Sequence, residues 1–274
     1  MTRVAIIAAM PGELKPFLNA NAKEGWAHER RGNVHLWRLT WAGGHEWVAA
    51  CGGAGVNAAT KAFAEVEKVG AVDLVISTGW AGALSEDFAT GRAFHVGRVV
   101  DARTGERFEA STHSHVGAKS GVASDPRSPS ARDRGHPAAS GAHSVLLVTC
   151  AVVGGVGEKQ RLAAAYGAGL VDMEAAGVAR LAAMRGIPFY CVKGVSDGFR
   201  DRLPDFNRFI GPGGEFRLAG FVLYSLLRPW HWPALVRMGE NSRKAAGEIA
   251  ELLLEILNQR GIISKSDGYP DLKR

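Results

Sequence analysis

The sequence predicts a single α/β domain, and three observations lead to this prediction. Apolar runs at residues 4–10, 74–77 and 188–195 are typical of strands that are buried on both faces. Segments with apolar residues at helical spacing follow such runs, and Gly70 and Gly186 end two of these segments. Because strands and helices alternate along the chain, the strands are expected to form one sheet covered by helices.

The first elements can be placed from local signals. The first strand is expected to end at Pro11, with Glu13 opening a short helix. Residues 35–41 and 46–51 flank a glycine-containing turn and predict a hairpin. Asn57 is a candidate N-cap of the next helix, because its side chain can accept a hydrogen bond from the first helical turn.

The middle of the chain continues the alternation. The strand at 74–77 runs into residues 78–82 (TGWAG), which we interpret as a loop of small residues. Residues 117–143 are rich in Ser, Gly, Pro, Arg and His, and we predict a mobile insert there. Further strands are predicted at 95–102 and 145–153, and further helices at 158–166 and 172–185.

The C-terminal part differs in character from the rest. We divide the chain into a main body, 1–215, and a helical extension of the same domain, 216–274. Within this extension we predict a helix at 216–227, a rigid aromatic linker at 228–233 and an amphipathic helix at 234–257.

Composition limits the class of protein. The chain has 274 residues, of which 46% are hydrophobic and 22% charged, as expected for a globular protein with a large core. The net charge of +6 favours anionic partners, which include phosphate, nucleic acid and acidic membrane surfaces, but is too small to choose between them. The spacing of residues 51–55 (CGGAG) differs from the dinucleotide-binding pattern, and nothing besides charge favours nucleic acid.

Cysteine, histidine and apolar patterns indicate an intracellular protein without a metal. The three cysteines lack metal-ligand spacing and are expected to be buried, reduced thiols: Cys51, Cys150 and Cys191. The histidines of the insert have no fixed motif: His113, His115, His136 and His143. The chain starts with a strand pattern rather than a secretion signal, and the apolar run 221–227 is too short to span a bilayer. We therefore expect a cytoplasmic location, with membrane association as the alternative.

Three acidic residues follow predicted strands. Glu13 follows the first strand, Glu174 lies at the start of a predicted helix, and Asp197 follows the strand at 188–195. Taken singly, Glu13 and Glu174 can be explained by the helix dipole, and Asp197 by a turn. Because α/β sheets gather their sites at the carboxyl ends of strands, the three together form a candidate site for acid–base chemistry.

Five motifs around these acids occur in a characteristic order. They are residues 8–13 (AAMPGE), 51–57 (CGGAGVN), 77–82 (STGWAG), 171–176 (VDMEAA) and 195–197 (VSD). Together they resemble the landmark motifs of the purine nucleoside phosphorylase/methylthioadenosine nucleosidase family, over about residues 1–200. The resemblance implies a three-layer sandwich with a mixed central sheet flanked by helices. It also implies an enzyme that cleaves the N-glycosidic bond of a purine nucleoside.

The resemblance assigns a role to each matching residue. Asp197 would be the general acid at the purine N7, with Ser196 orienting it. Glu174 would bind the ribose hydroxyls, and Met173 would pack against the sugar. Glu13 would activate the nucleophilic water. Such residues fit the chemistry, because the leaving purine needs a proton and the oxocarbenium-like sugar is favoured by nearby negative charge.

Further positions complete the substrate site that the resemblance implies. Val152 and Val153 match the segment that faces the purine ring. Gly79 and Trp80 match positions beside the nucleophile, where Trp80 replaces a small polar residue. No metal or cofactor is implied, although phosphate would be the co-substrate of a phosphorylase. Relatives of this kind are commonly homo-oligomers, and we expect one here.

Hydrolysis is favoured over phosphorolysis. Phosphorylases of this family usually carry an arginine where this chain has Ser77 and Thr78. Lys15, Arg103 or an arginine of a partner chain remain alternatives for binding phosphate. The competing hypotheses are therefore a phosphorylase, a methylthioadenosine/S-adenosylhomocysteine nucleosidase, and a catalytically silent binder of nucleosides or lipids.

The C-terminal region carries a second, looser resemblance. Residues 197–204, 223–229, 233–237 and 241–243 resemble the hopanoid-associated branch of the family, which implies release of adenine from adenosylhopane. A group of apolar residues lies close in sequence to Arg217, Arg228 and Arg237: Phe221, Leu223, Leu226, Leu227, Trp230 and Trp232. This combination suits a lipid-linked substrate or peripheral membrane contact. The alternative is that these helices cover the sheet and that the tryptophans belong to the core.

Overall fold

One mixed β-sheet with helices on both sides dominates the computed structural model, which describes residues 2–41, 44–111, 145–152, 154–211 and 213–262. The strands are β1 (Arg3–Ala8), β2 (Ala27–Arg31), β3 (Val34–Thr40), β4 (Glu46–Cys51), β5 (Leu74–Ala83), β6 (Ala93–Asp101), β7 (Arg107–Glu109), β8 (Val145–Thr149), β9 (Leu170–Asp172) and β10 (Phe189–Asp197). The helices are α1 (Pro11–Ala20), α2 (Val56–Glu67), α3 (Val156–Tyr166), α4 (Ala175–Arg185), α5 (Leu218–Leu226) and α6 (Trp232–Gln259). Short 3-10 helices occur at Ala22–Glu24, Phe206–Phe209 and Pro229–His231.

The burial of β1 shows how the layers are arranged. Alternate side chains of a strand point to opposite faces, and in β1 both sets are buried. Val4 and Ile6 pack in a cluster with residues of α1 and α6, whereas Ala5 and Ile7 pack with residues of α2 and α4. Helices therefore cover both faces of the sheet, which explains the apolar run and confirms the predicted fold class.

Strand order brings distant segments of the chain together. β1 lies between β4 and β5 and is parallel to both. β10 is parallel to β5 and antiparallel to β6. Because β6, β8, β9 and β5 also pair in sequence, these four strands and β10 close into a ring. The carboxyl ends of the parallel strands β1, β5 and β10 consequently meet at one edge.

Most predicted elements are confirmed, but two local interpretations are wrong. Residues 78–82 are not a loop: they continue β5, because Gly79 and Trp80 pair with Lys193 and Gly194 of β10. Such pairing depends on a partner more than 100 residues away and leaves no local pattern in a run of small residues. Asn57 is not an N-cap, since α2 begins at Val56 with Gly55 before it.

Further differences concern the ends of elements and short strands. Helix α1 begins at Pro11, so Glu13 lies within its first turn rather than opening it. The predicted helix at 172–185 begins only at Ala175, because residues before it form β9. The predicted linker at 228–233 is largely helical. Strands β2, β7 and β9 were not predicted, and the insert 117–143 lies outside the described residues.

Helix α6 ties the C-terminal region to the N-terminal strands. Ile249, Leu253 and Leu257 are fully buried in the cluster that contains Phe17 and Trp47. The core is therefore built jointly by the two ends of the described chain. The three cysteines are free and buried, as predicted. Among the described residues, no helix combines the length and apolar character needed to cross a bilayer.

Candidate active site

A cavity of about 280 Å³ opens where β1, β5, β9 and β10 end. The three predicted acids, Glu13, Glu174 and Asp197, all line it, although they are separated by up to 184 residues in the sequence. Each of them is buried. Asp172 and the buried Lys159 also line the cavity, which therefore holds four carboxyl groups and one lysine of the described residues.

Glu13 is held by backbone N–H groups. The end of β1 folds back over the first turn of α1, so that the N–H groups of Ala9 and Met10 donate to Oε2 at 2.8 Å each. The N–H of Trp80 donates to Oε1 at 2.8 Å. Burial raises the pKa of Glu13, and these hydrogen bonds oppose the rise. The group is therefore a stronger base than an exposed glutamate and is fixed in direction.

Two glycines of β5 make room for the carboxylates. Gly79 has φ +130°, and a Cβ there would lie 2.8 Å from Oε1 of Glu13. A Cβ at Gly82 would lie 3.0 Å from Oδ2 of Asp197 and 3.3 Å from Cε of Lys159. The small residues of the 77–82 motif are therefore required because two acids approach this strand closely.

Glu174 lies immediately before α4. The N–H of Gly55 donates to its Oε1 at 2.7 Å, which links the 51–57 motif to the 171–176 motif. Burial, and then the negative charge of Asp172, raise the pKa of Glu174 to about 8. This shift favours the protonated form of Glu174 near neutral pH, whereas donors such as sugar hydroxyls favour its ionised form.

Asp197 is held between two donors. The hydroxyl of Ser196 lies 2.7 Å from Oδ1, and the ammonium of Lys159 forms an ion pair with Oδ2. Lys159 also donates to the carbonyl of Gly198 at 2.6 Å. The lysine comes from α3, 38 residues before Asp197, and its side chain is only 2% exposed. Both carboxylate oxygens of Asp197 thus have a proton donor within contact distance.

Asp172 forms a second buried ion pair below the cavity. Its Oδ2 lies 2.8 Å from Nζ of Lys193, and both side chains are fully buried. Thr149 donates to Oδ1 at 2.6 Å, and the N–H of Ala175 donates to Oδ2 at 2.9 Å. Burial alone would lower the pKa of Lys193, but the negative charges nearby, with Asp172 foremost and Glu174 among them, together outweigh burial and the pKa is raised. The pair fixes the start of α4, immediately after Glu174.

The predicted substrate-binding positions fall into three groups. Met173, Ser196, Trp80 and Val152 line the cavity. Gly79 lies beneath the carboxylate of Glu13 and does not itself line the cavity. Val153 lies outside the described residues.

One end of the cavity is apolar. It is lined by residues of the 3-10 helix Phe206–Phe209, of the adjoining segments and of α5 and α6: Leu203, Phe206, Ile210, Phe216, Phe221 and Met238. Of the apolar C-terminal residues singled out in the sequence, Phe221 reaches the cavity. The others are exposed and belong to neither the cavity nor the core, so the interpretation of Trp230 and Trp232 as core residues is wrong.

Two of the candidates for binding phosphate, Lys15 and Arg103, do not line the cavity. Lys15 lines a separate surface depression beside Trp26 and Trp37. Arg103 lies in the turn after β6, where its N–H donates to Asp101. Within the described part of the chain, Lys159 is the one cationic side chain that lines the cavity, and it is paired with Asp197.

The family is established by comparison of sequences. A model of the phosphorylase superfamily matches residues 3–210, so the chain belongs to this superfamily. The protein is accordingly an enzyme of the phosphorylase superfamily. A comparison with curated proteins gives no significant match.

Solved structures of low sequence identity share the fold. A Helicobacter pylori 5′-methylthioadenosine/S-adenosylhomocysteine nucleosidase mutant bearing 5′-methylthioadenosine is 15% identical, with a TM-score of 0.62 over 94% of this chain and 99% of that chain. The futalosine hydrolase of the same organism is also 15% identical, with a TM-score of 0.62 over 94% and 98%. The Neisseria meningitidis 5′-methylthioadenosine/S-adenosylhomocysteine nucleosidase with methylthio-immucillin-A is 19% identical, with a TM-score of 0.63 over 94% and 100%.

Sequence reasoning missed Lys159, Asp172 and Lys193. A usable signal was present for each lysine, because lysine is almost never fully buried unless it is paired. Lys193 interrupts the apolar run of a central strand. Lys159 lies three residues before the buried Leu162, on the same face of α3. Their partners could not be identified without the strand order.

Proposed function

We propose that the protein hydrolyses the N-glycosidic bond of an adenine nucleoside and releases adenine. The observation that carries this proposal is the placement of Glu13, Glu174 and Asp197 around one cavity. The cavity volume of about 280 Å³ suits a ligand of nucleoside size. The fold shared with nucleosidases of other organisms supports the same reaction class.

The proposed reaction assigns one task to each acid. The bond between C1′ and N9 breaks, its electron pair moves to the purine, and Asp197 gives a proton to N7. A water molecule attacks C1′ and its proton passes to Glu13. Glu174 binds the ribose hydroxyls and places negative charge near the oxocarbenium-like sugar. Solvent then returns one proton to the acid that protonated N7 and removes one proton from Glu13.

Lys159 is the proposed source of the proton on Asp197. It is the nearest proton donor to Oδ2 and is shielded from solvent. Transfer of a proton from Nζ to Oδ2 gives a neutral amine and a carboxylic acid. Ser196 keeps the carboxyl group oriented.

Water is the proposed nucleophile rather than phosphate. A phosphate dianion would need positive charge beside C1′, but Lys159 is already engaged by Asp197 and Gly198. The carboxylate of Glu13 stands on the side of the nucleophile and would repel an anion. Phosphorolysis with a partner-chain arginine is the alternative that a phosphate-dependence measurement decides.

The proposed substrate carries a large apolar group on its 5′ carbon, as adenosylhopane does. The apolar end of the cavity provides an aromatic cluster that suits such a group, since the rings of Phe206, Phe216 and Phe221 lie 5.2 to 6.4 Å apart. A cavity of nucleoside size leaves the rest of a lipid chain to extend beyond it. A methylthio group would also fit, so substrate comparison is the discriminating experiment.

The test measures free adenine and the sugar product. Purified protein is incubated with adenosine, with 5′-methylthioadenosine and with an adenosine bearing a long 5′-alkylthio chain, each with and without phosphate. We expect equal release of adenine in both buffers, a free sugar as product, and the highest kcat/KM for the long chain. Phosphate-dependent release would identify a phosphorylase, preference for the methylthio compound would identify a methylthioadenosine nucleosidase, and no release would indicate a silent binder.

A matched pair of variants tests the apolar end. Phe221→Ala should lower kcat/KM for the long-chain substrate by roughly tenfold or more while leaving adenosine turnover nearly unchanged, because only the long chain contacts this ring. Met184→Ala, at an exposed position of α4 that does not line the cavity, is the control and should change neither value. Equal effects of both variants on both substrates would contradict the proposed binding of the chain.

A further inference from the structure

Exposed apolar side chains are concentrated in one short part of the chain. Nine large hydrophobic side chains are exposed among the described residues, and seven of these belong to residues 222–236. We call these seven the apolar patch: Val222, Leu223, Leu226, Leu227, Trp230, Trp232 and Val236, each 45 to 69% exposed. Large contiguous apolar patches on proteins usually mark interaction sites.

The patch lies on the outer side of a helix whose inner side reaches the cavity. With 3.6 residues per turn, positions 222, 223 and 226 of α5 share one side, opposite Phe221, which lines the cavity. Trp232 is tied to α5, since its Nε1 donates to the carbonyl of Ser225 at 2.8 Å. The start of α6 therefore continues the same surface, and Met238 on α6 again lines the cavity.

Within the segment that carries the patch, the charged residues are all arginines. No acidic residue occurs between residues 216 and 239, whereas this segment contains three arginines, Arg217, Arg228 and Arg237. The guanidinium of Arg228 lies over the ring of Tyr224, 3.9 Å from its centroid. Tryptophan and arginine around an aliphatic surface are the combination that suits the interface of a membrane with anionic headgroups.

We propose that the apolar patch docks the protein on an anionic lipid bilayer. The nine residues of α5 span only about 14 Å, so the helix lies in the plane of the interface with its aliphatic side inserted. Arg217, Arg228 and Arg237 contact lipid phosphates. A second copy of the chain fits less well, because a two-fold contact through this patch would bring the arginines of both copies near one another. Delivery of a lipid-linked substrate to the cavity by this contact rests on the proposed function, whereas the docking itself does not.

The test uses the full chain and vesicles without substrate. Co-sedimentation is measured with vesicles of phosphatidylcholine alone and of phosphatidylcholine mixed with phosphatidylglycerol, at low and high salt. We expect binding to the anionic vesicles that weakens with salt and is much weaker on phosphatidylcholine alone. Absence of binding to anionic vesicles at low salt would overturn the proposal.

Variants assign the binding to the patch. Leu223→Glu should weaken vesicle binding at least about tenfold, because it buries a charge where an aliphatic side chain was inserted. The matched control is Met184→Glu, which introduces the same charge on α4, outside the patch. Met184 is 76% exposed, and this variant should bind vesicles as the unmodified protein does. Trp230→Ala, which adds no charge, should also weaken binding. Equal binding by all variants would overturn the proposal.

Two further measurements separate the outcomes. Thermal unfolding and adenine release from adenosine should be unchanged in Leu223→Glu, which shows that the fold and the cavity are intact. A change of molar mass in Leu223→Glu without a change in vesicle binding would show that the patch joins two copies, and would overturn the proposal. Vesicle binding needs no turnover. Docking can therefore fail while adenine release succeeds, and adenine release can fail while docking succeeds.

Discussion

Lys159 and Lys193 each pair with a carboxylate at the cavity, and at least 98% of each lysine is buried. Buried pairs of this kind contribute little net stability, but loss of one partner leaves an unpaired charge in the interior. Glu13 and Glu174, in contrast, are held by backbone N–H groups. The four carboxyl groups therefore have separate supports and can be tested one at a time.

Replacement of the proposed general acid tests its role directly. Asp197→Asn should lower the rate of adenine release about 10²- to 10⁴-fold, because the amide cannot deliver a proton to N7. The measurement is the release of adenine under saturating substrate. Asp87→Asn, at an exposed position, is the control and should keep the full rate. Full activity of Asp197→Asn would remove this residue from the mechanism.

A double-mutant cycle tests the ion pair between Lys159 and Asp197. Lys159→Met should lower the free energy of unfolding by about 3–5 kcal/mol, because it leaves the carboxylate of Asp197 without its cation. Combining Lys159→Met with Asp197→Asn should recover most of this loss, since no unpaired charge remains. Urea unfolding supplies the free energies. Additive effects would show that the two side chains do not interact.

The pKa of Glu174 predicts a dependence of stability on pH. The pKa is raised to about 8 in the folded protein, from an ordinary value of 4.5 for an exposed glutamate. The folded protein therefore binds this proton more tightly than the unfolded chain, and the stability from Glu174 is lost as pH rises from about 4.5 to about 8. Glu174→Gln has no such titration. Relative to the unmodified protein, its melting temperature should increase with pH across this window, and a constant difference would contradict the shift.

At the scale of elements, the contact between α6 and β10 depends on a glycine. A Cβ at Gly194 would lie 2.8 Å from Cβ of Ala245 and 2.9 Å from Cδ1 of Ile249. Such approaches are closer than packed carbon atoms allow. The long C-terminal helix can therefore lie directly on the central strand that carries Lys193 and Asp197.

Two glycine-to-alanine changes test this contact. Gly194→Ala should lower the free energy of unfolding by about 1–3 kcal/mol, because α6 must move away from β10. Gly247→Ala is the matched control on α6, where no atom lies within 4 Å of the added Cβ. It should raise the stability by up to about 1 kcal/mol through helix propensity. Urea unfolding measures both, and equal effects would show that α6 does not rest on Gly194.

At the scale of the whole molecule, the two ends of the described chain share one core. Leu253 of α6 is fully buried in the same cluster as Trp47 of β4 and Phe17 of α1. The C-terminal helix is thus part of the hydrophobic core, while α5 and the start of α6 carry the apolar patch on the surface. Access to the cavity and the integrity of the core depend on one continuous segment.

Unfolding is therefore expected to be cooperative. Leu253→Ala should lower the free energy of unfolding of the whole described fold by about 2–5 kcal/mol, because it creates a cavity between α6 and the sheet. Tryptophan fluorescence and far-UV circular dichroism should follow one transition in urea, in the variant as in the unmodified protein. Two separate transitions would show that the C-terminal region folds independently of the sheet.

The sequence by itself determined the class of fold, most elements and the three acids. These features depend on local patterns: apolar runs mark buried strands, glycines such as Gly186 mark helix ends, and acids after strands mark the edge of the sheet. The five motifs indicated the family. Each motif contributes residues to one cavity, which distant segments of the chain form together.

Only the tertiary structure decided which groups meet. The strand character of residues 78–82, the pairing of Lys159 with Asp197 and that of Lys193 with Asp172 all depend on neighbours across the ring of strands. The side of α5 that faces the cavity could likewise be distinguished from the exposed side only after the cavity had been located. The physical reason is that burial and charge pairing are properties of the packed chain: a lysine has the same local sequence whether solvent or a carboxylate surrounds it.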